Sequence, residues 1–539
     1  MKNLYLVVFL IALFSCNNST NPTTKQNIKP GLEQYALMDL KTDLSVLEPW
    51  EKEMLPVLFE ASYIMDRIFL YQVIGNTDTT CLKDQDEISR NLFEINFGPW
   101  DRLNSDIPFI KCLGEKPLGV NFYPLVMSSE EFDAFPDSCK KSPYTFIRRN
   151  NSGNLMCVPY NQVFPDLLER VSGLLNVAAQ ISQDTSFSEY LKLRASALLT
   201  DNYYKSDSAW LNLRNTRLDI LIGPIDINED RLYGYKSEYQ SYVLVKDIEW
   251  SSRLAKYSDW LKYLQKSLPV PPEYRSEEPT GIADFYVYDV IHYGGSGKAG
   301  GAMVSFNAPL ENYVRKNIGH RNLQFKNIIQ YKFEKILKPV SDIGIASDQL
   351  NNVTSEAFFT NLLFSELSKS LGVSQTIINK SNVNEVIKEN SVILDMVKAN
   401  MGALFLVKKL KEVNEFSNDI NDFYVTWLAN ALRRIRLSTT NTTSISTLVC
   451  LNYLIDNHAI GFKSGNKMYV IDENFENASN NLLSEVLILQ GDGDYPGAVQ
   501  FVKKYSVHNQ KLNNLIEKIN SEKIPFDLVF NQGMDVVEY

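Results

Sequence analysis

Hydrophobic residues recur every three to four positions over long stretches of the chain, separated by polar and turn-forming segments. In the first half, this spacing predicts amphipathic helices over 50–74, 164–181 and 190–200. Runs of β-branched and aromatic residues predict strands over 218–222, 286–293 and 302–306. Strands are therefore expected mainly before residue 310.

Beyond residue 322 the helical spacing dominates. It predicts helices over 323–338, 356–371, 383–413, 419–437, 445–457 and 482–489. One more helix and a short strand, 527–530, are expected near the end. A first half with strands and a second half of helices predict a helix-rich α+β protein of at least two lobes.

The N-terminal segment has the features of an export signal. Lys2 precedes an uninterrupted apolar run over 4–14, which is shorter than the ~20 residues that a transmembrane helix needs. Its end, Leu-Phe-Ser-Cys, resembles the lipobox of bacterial lipoproteins, which predicts a diacylglycerol on Cys16 and a polar tether after it. The protein is then expected on the bacterial cell envelope, lipid-anchored and facing the periplasm. An ordinary cleaved signal peptide is the alternative.

Composition removes two classes of function. The 539 residues carry 54 Lys and Arg against 64 Asp and Glu, for a net charge of −10, and the basic residues are scattered. Nucleic acid is therefore not expected as a partner. The four histidines are His292, His320, His458 and His508. Because no two lie within one helical turn, an H-E-x-x-H zinc site is excluded.

Four cysteines cluster in the first third of the chain: Cys81, Cys112, Cys139 and Cys157. In an exported protein they are expected to form two disulfides, with three possible pairings that the sequence does not separate. Four buried thiols are the alternative.

A glycine-rich segment contains G-x-G-x-x-G at Gly295, Gly297 and Gly300. A dinucleotide site needs a helix to begin at the third glycine, so that the helix N-terminus faces the pyrophosphate. Here a strand is expected instead, so we interpret the segment as a flexible hairpin or a loop at the edge of a cleft.

The segment 355–372, SEAFFTNLLFSELSKSLG, carries the most informative pattern. Ser365, Glu366 and Lys369 take the positions of the two histidines and the glutamate in H-E-x-x-H. In metallopeptidases that spacing directs two imidazoles at one zinc ion, while the glutamate takes the proton of the bound water. Neither a hydroxyl nor an ammonium replaces an imidazole. Taken alone, the segment is best interpreted as an amphipathic helix with a surface Glu366–Lys369 pair.

The surroundings of this helix resemble the dipeptidyl peptidase III family of zinc metallopeptidases over almost the whole mature chain. The matching blocks include SPYTFIRR (142–149), LDILIGPIDINEDRLYGYK (218–236), GKAGGAMVSFNAPLENYVRK (297–316) and GDYPGAVQFVKKY (493–505). The resemblance implies two lobes around a wide cleft, and an ancestral activity that removes dipeptides from the N-termini of short peptides with zinc. We expect a signal peptide over 1–15, a lipidated tether over 16–36, a mixed lobe over 37–330, a helical lobe over 331–490, and a C-terminal segment, 491–539, that packs on the first lobe.

The resemblance also places the family's functional residues on this chain. The three zinc ligands fall on Ser365, Lys369 and Met396, and the general-base glutamate falls on Glu366, where it is vestigial. No zinc or other cofactor is therefore expected.

Other family positions are partly kept. The acid beside the third ligand remains as Asp395, and a later acid becomes Asn400. The histidine that steadies the transition state becomes Thr443, and the tyrosine that polarises the scissile carbonyl becomes Asn228. Of the residues that hold the substrate's free amine, the glutamate becomes Asp226, one asparagine stays as Asn307, and the second becomes Leu310.

This pattern predicts a membrane-anchored, inactive pseudopeptidase that binds a peptide or protein in its interlobe cleft. We further expect Lys369 to pair with Glu366 or Asp395 in place of the metal. A weakly active peptidase with a residual metal site, and a structural or assembly lipoprotein, are the alternatives.

Overall fold

A computed structural model describes residues 31–214, 216–279, 284–437 and 441–537. Cys16 and the predicted signal peptide lie outside the described residues. The folded part begins before the predicted end of the tether at residue 36, because residues 35–39 already form a paired strand.

The first lobe contains the mixed sheet and its flanking helices. Its strands are β1 Tyr35–Asp39, β2 Trp100–Asp101, β3 Ile107–Pro108, β4 Thr145–Arg149, β5 Leu155–Pro159, β6 Leu218–Asp226, β7 Glu238–Lys246, β8 Asp284–Gly295, β9 Ser305–Ala308 and β10 Arg321–Phe325. Its helices are α1 Pro49–Ile74, α2 Glu87–Asn96, α3 Ser129–Ala134, α4 Tyr160–Val163, α5 Pro165–Ile181, α6 Thr185–Thr200, α7 Tyr204–Leu211, α8 Ile248–Lys266 and α9 Asn312–Asn317.

The second lobe is mostly helical. Its helices are α10 Lys326–Lys332, α11 Lys338–Gly344, α12 Ser355–Ser368, α13 Val383–Ile387, α14 Ser391–Glu412, α15 Ile420–Ile435, α16 Thr442–Asp456, α17 Asp472–Asp492, α18 Tyr495–Tyr505 and α19 Gln510–Ser521. Its strands are β11 Ile460–Phe462, β12 Met468–Val470 and β13 Asp527–Asn531. The last strand returns to the first lobe, where β13 pairs in parallel with β1.

The core of the first lobe is a five-stranded sheet in the order β6-β7-β8-β10-β9. β8 and β10 run parallel, and the other neighbours are antiparallel. Helix α1 packs across β7 and β8, where Phe59 stacks on the ring of His292 with centroids 5.0 Å apart. The mixed sheet and the helical second lobe confirm the predicted helix-rich α+β class.

The predicted helix over 323–338 is wrong at its start. Residues 321–325 form β10, which lies between β8 and β9 with Leu323 and Phe325 fully buried. A short apolar run cannot be assigned to a helix or a buried strand by its periodicity alone. The helix begins at Lys326 and continues through a π-helical turn, Phe333–Leu337, into α11.

The glycine-rich segment does not form a hairpin, because β9 pairs with β10 and not with β8. β8 continues to Gly295, which has a φ of 62° and is followed by a short 3₁₀ turn. A Cβ at Gly295 would lie 2.2 Å from the carbonyl oxygen of Tyr239, so these glycines let the chain approach its neighbours closely. As expected, no helix begins at the third glycine.

The two lobes are in direct contact. On α8 of the first lobe, Trp250 and Tyr257 pack edge-on against Phe359 and Phe364 of α12, with ring centroids 4.9 and 5.6 Å apart. One stretch, Val383–Glu412, is long and apolar enough to cross a membrane by length and composition. Since 78% of its apolar window is buried inside the protein, it is the core helix of the second lobe.

The clustered cysteines form two disulfides, Cys81–Cys112 and Cys139–Cys157. The alternative of four free thiols is therefore wrong. Cys450 is a buried free thiol in α16.

Candidate functional site

The two helices that carry the metal-binding positions of the family pack tightly against each other. Ser368 of α12 donates a hydrogen bond from Oγ to the carbonyl oxygen of Ala399 in α14, at 2.9 Å. A Cβ at Gly402 would lie only 2.7 Å from that of Ser368, so the helices approach as closely as a glycine permits. The contact joins the turns that carry Ser365 and Met396.

None of the three ligand positions offers a zinc ligand. Ser365 donates its hydroxyl to the carbonyl of Leu362 in its own helix, at 2.8 Å. Lys369 presents an ammonium group, which has no lone pair and repels a cation. The thioether of Met396 lies 3.7 Å from the Ser446 hydroxyl. Zinc takes imidazole nitrogen, thiolate sulfur or carboxylate oxygen, so these side chains do not fit the metal.

Both carboxylates of the site are held by lysines. The Lys369 ammonium lies 2.7 Å from Oε1 of Glu366; side-chain exposure is 51% for Lys369 and 19% for Glu366. Lys398 lies 3.2 Å from Oδ1 of Asp395, and here it is the lysine that is buried, at 8% exposure against 37% for Asp395. Gln490 also donates to Oδ1 of Asp395, at 2.8 Å.

The structure adds a cation that the sequence did not indicate. Arg434, near the end of α15, donates from Nη1 to Oδ1 of Asn400 at 2.7 Å. Asn400 in turn donates from Nδ2 to the carbonyl of Met396 at 2.7 Å. Burial lowers the pKa of Arg434, and the negative charge of Glu366 acts in the opposite direction. A guanidinium therefore stands at the face where the family resemblance places the metal.

Thr443 lies on the first turn of α16, where its carbonyl oxygen accepts hydrogen bonds from the hydroxyls of Ser446 and Thr447, at 2.9 and 2.7 Å. Ser446 also contacts Met396. The fold thus brings the positions on α12, α14 and α16 to one face. Among the described residues, the only group of potential metal ligands close enough to hold an ion is Asp137, Cys139 and Cys157. Its two cysteines are joined in a disulfide, so it is not a metal site.

The predicted amine-binding residues lie in the first lobe. Asp226 ends the edge strand β6 and accepts a hydrogen bond from Nδ2 of Asn228, at 2.6 Å. Burial raises the pKa of Asp226, and the charge of nearby Glu229 raises it further. The neighbouring carboxylate Glu238 is fully buried, and burial raises its pKa well above the usual range. A cation that approached this group of carboxylates would be stabilised.

Asn307 lies on β9, the opposite edge of the same sheet. Its amide oxygen accepts a hydrogen bond from Nδ2 of Asn322, at 2.9 Å. The side chain is exposed. The structure does not join Asn307 directly to Asp226 by a hydrogen bond in the described part of the chain.

Comparison with known proteins identifies the family of this chain. A model of peptidase family M49 matches residues 121–368. The solved structure of DPP III from Caldithrix abyssi is 30% identical, covers 94% of this chain and 98% of its own, and superposes with a TM-score of 0.89. The chain belongs to the dipeptidyl peptidase III family. The structure of dipeptidyl-peptidase III from Corallococcus sp. strain EGB is 27% identical, with coverage of 92% and 95% and a TM-score of 0.78.

Among curated proteins, Nudix hydrolase 3 of Arabidopsis thaliana is 26% identical over 569 residues, which cover 93% of this chain and 73% of that protein. The dipeptidyl peptidase III family is zinc-dependent. Within it, this chain keeps the two-lobed fold and carries a serine, a lysine and a methionine at the ligand positions that the resemblance assigns.

Proposed function

We propose that this protein is a membrane-anchored, zinc-free member of the family that binds a peptide or protein in the cleft between its lobes. The observation that carries the proposal is Lys369. This residue stands at a ligand position, and its ammonium pairs with the general-base position Glu366 at 2.7 Å. A cation bound to that carboxylate occupies the group that would take a proton from water in the zinc enzymes.

The metal experiment comes first. Purified full-length protein is analysed for zinc and assayed with a fluorogenic dipeptide substrate, with and without a chelator. We expect neither stoichiometric zinc nor turnover. Stoichiometric zinc together with chelator-sensitive hydrolysis would favour the alternative, a weakly active peptidase.

Peptide binding is tested by calorimetry with tri- to octapeptides whose N-termini are free or acetylated. Acetylation is expected to weaken binding, because Asp226 and Asn307 are the positions assigned to the free amine. Asp226→Asn should weaken the binding of peptides with a free N-terminus and leave that of acetylated peptides unchanged. Glu60→Gln, which removes an exposed carboxylate that pairs with Arg170, is the matched control. If no peptide binds, the cleft is idle and a structural lipoprotein is the better interpretation.

Anchoring rests on the N-terminal sequence, and the two disulfides of the first lobe support an oxidising compartment. Metabolic labelling with a radioactive fatty acid should mark the wild-type protein. Cys16→Ser should abolish the label and release the protein from the membrane fraction. A wild-type protein that is exported but unlabelled would show an ordinary signal peptide.

A further inference from the structure

Arg434 has more hydrogen-bonding capacity than its neighbours use. A guanidinium offers five N–H donors on three nitrogens. Among the described residues, only Nη1 has a hydrogen-bond partner, Asn400. Neither Nε nor Nη2 is among the fully buried polar atoms that lack a partner, so neither is completely buried. The side chain is partly exposed at a face that contains the equally part-exposed Ser365, Glu366, Met396 and Thr443.

Arg434 has no ion-pair partner in the part of the chain that the structure describes, where its side-chain hydrogen bond goes to the neutral Asn400. Glu366 is paired with Lys369, and Asp395 is paired with Lys398. Burial raises the pKa of the neighbouring Cys450 thiol to about 12, so it is neutral at physiological pH. No carboxylate among the described residues is therefore bound to Arg434, although the charge of Glu366 acts on its guanidinium. A bound anion would give this guanidinium an ion-pair partner.

The guanidinium is also held in place before any ligand binds. Asn400 accepts from Nη1 of Arg434 and from Nε1 of Trp427, at 2.7 and 3.4 Å, through the same Oδ1 atom. Its own Nδ2 is fixed to the backbone of α14. A fixed fork with two free donor nitrogens matches the two oxygens of a carboxylate.

We propose that Arg434 binds a carboxylate of the peptide ligand at the face where its zinc-dependent relatives hold the metal. The inference rests on the proposed peptide binding in the cleft and names the chemistry of the ligand. The carboxylate is either the C-terminus of a short peptide or an acidic side chain within it. A purely structural guanidinium would pair with Asn400 and make no distinction between charged and neutral peptides.

The test is calorimetry on the full chain with three tetrapeptides that share a free N-terminus. One is tetra-alanine with a free C-terminus, the second is its C-terminal amide, and the third is the amide with glutamate at position 3. We expect at least one of the two carboxylate peptides to bind ten-fold or more tightly than the neutral amide. Which of them does so identifies the source of the carboxylate.

Protein variants assign the effect to Arg434. In Arg434→Met, the preferred peptide should bind only as tightly as the neutral amide. Arg434→Lys should keep only part of the preference, because an ammonium keeps the charge but not the forked donor geometry of a guanidinium. Arg170→Met, which removes an exposed guanidinium far along the sequence on α5, should keep the preference.

Equal affinity of wild-type protein for all three peptides would overturn the inference and leave peptide binding standing. A preference that survives in folded Arg434→Met would also overturn it. Absence of binding by every peptide would refute both proposals. The comparison among ligands uses wild-type protein, so it does not depend on whether a variant folds.

Discussion

Replacing Lys369 by methionine tests whether its ammonium substitutes energetically for a metal ion. The substitution removes the charge but keeps a long apolar side chain at the end of α12. The ion pair that it breaks is short, 2.7 Å, yet the lysine is 51% exposed and its partner Glu366 is 19% exposed. Water therefore reaches the pair in the folded protein.

The magnitude follows from this exposure. Two unit charges 2.7 Å apart attract by about 1.5 kcal/mol in a medium of high dielectric constant. Ordering of the lysine side chain and screening by salt reduce this attraction, and exposed pairs contribute ~0.2–1 kcal/mol. We expect Lys369→Met to lower the free energy of unfolding by less than about 1 kcal/mol. The pair thus contributes less stability than an ion pair in a dry cleft would.

Lys398→Met is the matched comparison on the facing helix. Lys398 is only 8% exposed, and its removal leaves Asp395 with Gln490 and with the water that reaches its 37% exposed side chain. Removing one partner of a fully buried pair costs about 3–5 kcal/mol. Because Asp395 stays partly solvated, we expect roughly 1–2 kcal/mol.

The assay is urea denaturation followed by tryptophan fluorescence. A double-mutant cycle of Lys369→Met with Glu366→Gln isolates the pair, and we expect a coupling of ~0.2–1 kcal/mol. If Lys369→Met costs about 2 kcal/mol or more, or more than Lys398→Met, our solvation argument is wrong and Lys369 is the energetic substitute for the metal.

Further predictions concern the disulfides, a buried acid and zinc. The sequence separation of 18 between Cys139 and Cys157 corresponds to about 3 kcal/mol of loop entropy. Their double replacement by serine should lower the denaturation midpoint as reductant does, and no change would contradict this. Burial raises the pKa of Asp201 from 3.8 to about 6. Ionisation of this buried carboxyl therefore lowers the free energy of unfolding as the pH rises through the range between these two pKa values. Asp201→Asn should raise the free energy of unfolding by up to roughly 3 kcal/mol at pH 8 but not at pH 3.5. An equal gain at both would refute the assignment. Micromolar zinc should not raise the Tm. A ligand present at 100 times its Kd would raise the free energy of unfolding by about 2.7 kcal/mol.

Long periodic segments were predictable because their burial agrees with their local pattern. The first predicted helix, 50–74, is found as Pro49–Ile74, with a capping box between Glu48 and Glu51 and Gly75 just beyond its end. The strand β10 was not predictable, because its residues are buried on both faces and show no alternation. The disulfide pairing also depends on which loops meet in space.

Arg434 shows why a site is harder to predict than a fold. In the sequence it is one of several basic residues in a helix that matches the family as scaffold. Its position relative to Glu366 and Asn400 depends on how α15 packs against α12 and α14, a contact between segments far apart in the chain. The only signal in the sequence was Asn400, at a position where the family resemblance implies an acid. Its amide oxygen accepts a hydrogen bond from the guanidinium.

The close contact between α12 and α14 does not involve the side chains at the ligand positions. The hydrogen bond from Ser368 to Ala399 and the missing side chain at Gly402 hold these helices together without a metal. In the zinc-free protein that we propose, the packing that positions the face therefore does not depend on a bound metal. Glu366 and Asp395 then need positive charge beside them more than the helices need a structural replacement for the metal. Lysine side chains supply this charge, and the desolvation penalty is small because water reaches both pairs. Arg434 has no such ion pair among the described residues, and an unpaired guanidinium on this face favours ligand binding over structural support as its role.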